Sequence, residues 1–309
     1  MRAGLMFATQ PHRAAEVLPY ADLVKRGLAG RLWMGTSFLA DTQLSLAYLA
    51  GAGYRIPVGT GVALTALRSP LQAAVEARSL AALTGHRFVA GFGAATPEFV
   101  AHVLGRPYPR PAAAVRDYLS RVGAYLRGHA ELPPYEHPPV ELGAGVLRPG
   151  MARAAGASAD VAITWMTPPS YLRDTIIPAL REGAAGRRAT PRVATVVHAA
   201  VERAGRDAPG LAYAAACAHL CSPHYTGMLR LAGCEVNPYD PVSGARRLVE
   251  QGVFLYGPAR HIGAALREYE RAGVDEIILN LAGVHVTEGC RAAVEDAAEI
   301  LESLSTDQE

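Results

Sequence analysis

The stretch 56–93, IPVGTGVALTALRSPLQAAVEARSLAALTGHRFVAGFG, constrains the fold more than any other part of the chain. Residues 56–64 form an apolar run broken by Gly59 and Gly61. Ser69 and Pro70 then open a helix: a serine side chain caps unpaired N–H groups, and proline has a preset φ that suits the first helical position. Ala73, Ala77, Leu80 and Ala81 recur at helical spacing, and a face of small residues lets a helix lie close on a sheet. Gly85 is placed to end the helix with positive φ. Residues 88–92 are a second apolar run. Strands buried on both faces pair in parallel, through a right-handed crossover. Glycines inside a buried strand weaken it. Here they either relieve crowding in a closed barrel or mark a bulge approached by another backbone or a ligand.

The same rhythm runs along the whole chain. Strands are expected at 4–9, 31–37, 56–64, 88–92, 140–143, 160–165, 192–201 and 276–281. Helices are expected at 11–29, after an Asp41 cap to about 51, and at 70–84, 97–104 and 112–126. Further helices follow the turn 144–150 and span 168–183, 262–272 and 287–304. The proline-rich stretch 132–139 reads as a surface excursion, because the rhythm resumes after it. Eight strands alternating with eight helices in 309 residues predict one (β/α)₈ TIM-barrel domain over 1–309. The region of about 207–250 breaks the rhythm and reads as a helical insertion after strand seven. A doubly wound sheet is the alternative, but no G-x-G-x-x-G follows the first strand, and the GFGAA at 91–95 lacks a third glycine.

Composition narrows the function. Half the residues are hydrophobic, enough for a large core, and a net charge of +2 is too mild for nucleic acid. Cys217, Cys221, Cys234 and Cys290 have neither metal-type spacing nor a secreted framework, so they read as reduced thiols. No apolar run has transmembrane length and no signal peptide is evident, which points to a cytoplasmic protein without membrane contact.

In a barrel the ligand sits at the C-terminal strand ends. Here these are Thr9-Gln10, Gly35-Thr36-Ser37, Ala63-Leu64, Phe92-Gly93, Gly143-Ala144-Gly145, Trp165-Met166, His198 and Asn280. No carboxylate cluster appears among them, so neither a metal site nor a glycosidase site is expected. A glycine-rich, aromatic and hydroxylic set suits a flat cofactor bearing a phosphate.

Several segments, in this order, carry a resemblance: GTGVAL, the Ser69-Pro70 helix start, SLAALTGHRFVAGFG, PPVELGAGVLRPGMARAAGASADVAIT and GPARHIGAALREYERAGVDEIILNL. Together they resemble the bacterial luciferase-like flavin and deazaflavin oxidoreductases. The closer likeness is to the branch using coenzyme F420, which includes methylenetetrahydromethanopterin reductase. The resemblance covers nearly the whole chain, and the order of the segments is more specific than any one of them. It implies a bulge, often with a non-proline cis peptide, where Thr60, Gly61 and Val62 stand, against the cofactor ring. It implies that the turn after strand five, here Ala144 to Met151 with Gly145, Val146 and Gly150 within it, holds the cofactor phosphate on backbone N–H groups, with Arg148 adding a charge-assisted contact. Thr36, Ser37, Gly93, Gly143 and Trp165 complete the implied cofactor bed.

Two positions depart from the family pattern. Many deazaflavin enzymes of this group carry Asp-His where Thr36-Ser37 stand. Relatives with a glutamate directly after the strand-four GxG find Ala94 here, with Glu98 one helical turn on. Thr36, Glu98 and His12 are the candidate catalytic residues; solvent, His198 and His285 are further proton sources. The implied activity is hydride transfer from F420, with FMN as the alternative cofactor, to a C=C or C=N bond of a small-molecule or peptide substrate. Natural-product tailoring is one setting for it. The alternatives are an FMN-dependent monooxygenase and a non-catalytic barrel. A homodimer is expected, since the family pairs through early helices and 44–49 carries more apolar surface than one face can bury.

Overall fold

Successive side chains of a strand point to opposite faces, and in this chain both faces are apolar. Leu5 packs outward against helices while Met6 points into the barrel; Ile277 and Leu279 face out while Ile278 faces in. The computed structural model describes residues 2–7, 9–128 and 132–306. Its strands are β1 (Arg2–Met6), β2 (Leu32–Met34), β3 (Val58–Thr60), β4 (Ala63–Leu64), β5 (Phe88–Gly93), β6 (Val140–Gly145), β7 (Val161–Trp165), β8 (Arg192–Val201), β9 (Phe254–Gly257) and β10 (Glu276–Asn280). They run in parallel in the order β1-β2-β3-β5-β6-β7-β8-β10, and β10 returns to β1. Strands β3 and β4 share one stave of the barrel, so the barrel is closed by eight. The expected (β/α)₈ TIM barrel is the fold.

The inside of the barrel is filled by Met6, Trp33, Val89, Val161, Ile163, Ala194, Val196 and Ile278. At the N-terminal end the Trp33 indole N–H donates to Glu276 at 2.7 Å, and Arg31 lies against the same carboxylate. This plugs the lower mouth and leaves the C-terminal mouth open.

Most helix signals are realised. The Asp41 carboxylate accepts from the N–H groups of Gln43 and Leu44, and the Ser69 hydroxyl from that of Gln72. Gly85 closes the Pro70–Thr84 helix with φ of 72°. Several boundaries differ. The first strand stops at Met6 and the second at Met34. The expected 11–29 helix is a 3₁₀ turn, Ala14–Val17, leading into Leu18–Lys25. The expected helix 168–183 contains a π stretch, Leu172–Ile176, just before Pro178. Proline has no N–H for the usual bond four residues back, and the longer turn accommodates the loss. The closing helix starts at Cys290, after a separate short helix Ala282–Glu288 that Gly289 ends.

Three helices, Ala208–Leu220, Pro223–Leu231 and Pro241–Glu250, lie between β8 and β9. β9 itself was not expected. It pairs only with the upper half of β8, outside the closed ring. No helix among the described residues is long and apolar enough to cross a membrane.

Candidate active site

The floor of the site begins at the broken third stave. Gly59 is paired with Val89, and Ala63 with Phe92, so four steps on β3–β4 face three on β5. That is a one-residue bulge, uncommon between parallel strands. The Gly61–Val62 peptide within it is cis. Thr60 makes up for the interrupted ladder. Its hydroxyl accepts from the Gly91 N–H at 2.9 Å and donates to the Gly91 carbonyl at 3.0 Å. A Cβ on Gly91 would run into the Thr60 carbonyl oxygen, so this approach requires glycine. Two positions further on, a Cβ on Gly93 would lie 2.6 Å from Val62 Cγ2. The Val62 carbonyl is held from the other side by the Thr36 hydroxyl, which donates to it at 2.8 Å.

Above this floor lies a cavity of about 620 Å³ at the C-terminal strand ends, within the size range of small-molecule sites. Met6, Gly61, Val62 and Ile163 form its base, and Gly93 to Thr96 and Gly145 to Arg148 form one flank. Neither aspartate nor glutamate occurs among its described lining residues, and Arg148 is the one lining residue with a permanent charge. Arg148 precedes the Pro149–Ser158 helix, whose first turn no side chain caps. Its guanidinium donates to the His224 carbonyl at 3.2 Å, lies where a side chain on Gly227 would be, and keeps Nε buried with no protein partner.

The flank adjoining Gly145 to Arg148 is a wall of rings. Trp165 ends β7, His198 lies on β8, and His219 and Tyr225 come from the two helices after β8. The His219 ring stacks on Trp165 with centroids 5.3 Å apart, and His198 meets the Trp165 edge at 5.7 Å. Tyr225 closes on His219 at 4.6 Å. His198 is 1% exposed, and neither of its ring nitrogens has a protein partner; Trp165 Nε1 and His219 Nδ1 are likewise buried and unpaired. Burial disfavours the charged imidazoles. It lowers His198 to about 3, with His219 adding a smaller repulsion, and lowers His219 to about 4. Both rings are neutral at pH 7.

The structure brings together Thr36, Gly61, Val62, Gly93, Gly145, Val146, Arg148, Met151 and Trp165 around the cavity. Other candidates lie elsewhere. Thr60 is buried beneath the floor, and Ala144 packs outward in the main core. A Cβ on Gly143 would press on the Gly91 Cα, so that glycine serves barrel packing. Gly150 is exposed on the helix start, and Ser37 lines a small separate recess. Glu98 is exposed in the first turn of Pro97–Leu104, and His12 is exposed beside Glu16; neither lines the cavity. His285 Nδ1 is engaged by the Tyr20 hydroxyl at 2.7 Å. The sequence reading passed over His219 and Tyr225. One signal was present: Ala215 and His219 are one turn apart, so a small residue opens the helix face on which the histidine stands.

A closed parallel barrel with a bulged third stave and a cavity at its C-terminal strand ends defines an α/β barrel with a small-molecule site. The chain belongs to the luciferase-like monooxygenase family, whose sequence profile matches residues 2–276. A protein of Mycobacterium tuberculosis, Rv3520c, whose name describes a coenzyme F420-dependent oxidoreductase, is 31% identical over 122 residues. That match spans 40% of this chain and only 34% of the relative. Among solved structures, the coenzyme F420-dependent tetrahydromethanopterin reductase of Methanopyrus kandleri superposes with a TM-score of 0.72 at 16% identity, covering 98% of this chain and 99% of that one. The oxygenating constituent of 3,6-diketocamphane monooxygenase of Pseudomonas putida, solved with FMN, gives 0.68 at 14% identity, covering 99% and 98%. At these identities the structural likeness is one of fold.

Proposed function

We propose that this chain is a cytoplasmic, homodimeric oxidoreductase that uses coenzyme F420 to reduce a C=C or C=N bond of a small-molecule or peptide substrate. The observation that carries the reading is the cavity itself: a bulged apolar floor on one side, and on the other an uncapped helix start with the half-satisfied Arg148 guanidinium above it. These residues fit a flat ring system with a phosphate-bearing tail. Val62 and Gly61 would support the ring, and the bare Gly93 leaves the Val62 side chain seated below it. Arg148 and the N–H groups of Leu147, Arg148 and Gly150 would hold the phosphate. The cradle is shorter than the sequence implied, because the Val146 N–H already donates to the Ile163 carbonyl at 2.8 Å and that of Met151 to Arg148 at 3.1 Å.

When bound, the cofactor supplies a hydride; the chain supplies position. The Thr36 hydroxyl proton is already given to Val62, so Thr36 fixes the floor rather than donating to substrate. With no carboxylate among the described lining residues, the accompanying proton comes from solvent.

FMN would meet the same floor and the same turn, which keeps an FMN-dependent monooxygenase as the second reading. Titration of the purified protein separates the two. Micromolar binding of F420 with much weaker binding of FMN is the expected outcome, and Arg148→Met should weaken F420 at least about tenfold, a loss of about 1.4 kcal/mol. Tight FMN with weak F420 would establish the second reading. Binding of neither would make this a barrel without cofactor chemistry.

A further inference from the structure

We propose that the Trp165–His198–His219 wall is a substrate subsite that takes an uncharged, planar, conjugated carbonyl compound, holding its carbonyl oxygen on ring N–H groups. This rests on the reading of the cavity as an active site, and it names the class of molecule that reading leaves open.

The argument is one of unmet hydrogen bonds. A buried polar group without a partner is costly, and the great majority of such groups in native proteins are satisfied. Four ring nitrogens here, both of His198, Nδ1 of His219 and Nε1 of Trp165, are buried and unpaired on one flank of one cavity. The indole nitrogen can only donate, and each neutral imidazole carries one donor and one acceptor. A ligand that satisfies them presents an acceptor oxygen, with an adjacent donor tolerated. A carbonyl does this, and an amide does it most completely.

Charge excludes the neighbouring classes. The imidazoles stay neutral because burial opposes their protonation, so they offer no counter-charge to a carboxylate; the one permanent charge of the lining, Arg148, lies against the His224 carbonyl and is assigned above to the cofactor phosphate. The described lining has no carboxylate to receive a cation. A plain hydrocarbon would leave all four nitrogens unpaired. The rings themselves demand a flat partner: Trp165 and His219 stack in one direction, and Tyr225 stands edge-on to His219 at an interplanar angle of 77°. The wall reaches the cavity that Gly61 and Val62 floor, so a molecule gripped there lies next to the proposed ring position.

The test uses three probes of similar shape, cinnamamide, cinnamate and trans-β-methylstyrene, titrated calorimetrically into the protein with and without F420. The expected result is that cinnamamide binds at least about tenfold more tightly than either other probe, the size of one good hydrogen bond. Its affinity should stay level from pH 8 to pH 5, because imidazoles held this low do not titrate there. His198→Phe and His219→Phe should each bring cinnamamide towards the hydrocarbon, whereas His198→Asn, which keeps a donor and an acceptor, should retain most of the preference. Equal binding of cinnamate and cinnamamide overturns the proposal, as does an unchanged preference in His198→Phe. An affinity that falls through pH 6.5, or no binding of any probe, also overturns it. Measuring the protein without cofactor separates this failure from failure of the F420 reading, since the ring wall is complete without it.

Discussion

A histidine that cannot take up a proton in the folded chain makes folding depend on pH. His198 is lowered to about 3 by burial, with His219 as the neighbouring titratable group that lowers it further, and His219 is itself lowered to about 4 by burial. His224 and His285 are shifted the same way, again chiefly by burial. In the unfolded chain each imidazole titrates near about 6.5. As pH falls below that value the unfolded state binds protons that the native state refuses, so native stability declines from about pH 6.5 towards about pH 3, where His198 itself takes up a proton. The urea midpoint should therefore be lower at pH 5 than at pH 7.5, and His198→Phe should show a smaller drop. An identical drop in the variant would place the acid sensitivity elsewhere. Such residues are hard to read from sequence. His198 was visible as a strand end, but its lack of partners depends on what β7 and the added helices bring to it across long stretches of chain.

Among the elements, the closing helix Cys290–Thr306 is tied to the top of β8 by one carboxylate. Asp296, fully buried, accepts from the Val201 N–H at 2.9 Å, from Arg203 Nη2 at 2.9 Å and from Arg206 Nη1 at 2.6 Å. Removing it leaves the Val201 N–H unpaired and takes the buried partner from Arg206, which is 6% exposed and keeps Glu288 and the Val201 carbonyl. Asp296→Ala should cost about 3 kcal/mol or more in urea unfolding, while Glu299→Ala, at the exposed rim of the same network, should cost under about 1 kcal/mol. Equal losses would show that burial is not what matters here. The eight staves could be placed from sequence because apolar runs, Ser-Pro helix starts and glycine stops all agree over 56–93 and recur along the chain. The element passed over was β9. Four residues, FLYG, running into Pro258 lack the length for a period, and they pair only because β8 outruns the barrel. The bulge at 60–62 was flagged by its glycines, yet the Thr60 side chain that replaces the lost ladder bonds carries no signal of its own.

For the whole molecule, the barrel followed from counting, and the sidedness of its mouths followed from where polar plugs sit. The outer surface is where prediction has most to gain. Phe38, Leu39 and Leu44 are 59%, 55% and 72% exposed, and Tyr48 lies one turn beyond Leu44 on the Thr42–Gly51 helix. Clusters of this kind mark association surfaces, in line with the proposed dimer. Light scattering at micromolar concentration should give twice the chain mass, and Leu44→Glu should shift it towards a single chain. A monomeric wild type would leave this apolar surface to another role.

Strand β8 runs for ten residues, and His198 sits where its partner changes from β10 below to β9 above. His198 is thus rooted in a continuous stave rather than in a hinged flap, while His219 and Tyr225 stand on the helices that follow it. Swinging His198 out with its strand would break the four register pairs His198–Phe254, Ala199–Leu255, Ala200–Tyr256 and Val201–Gly257. Backbone amides of 199–201 should therefore exchange with deuterium about as slowly as those of the lower half of β8. In kinetic terms, a guest would meet the His198 ring as a fixed template and would not wait for its strand to move.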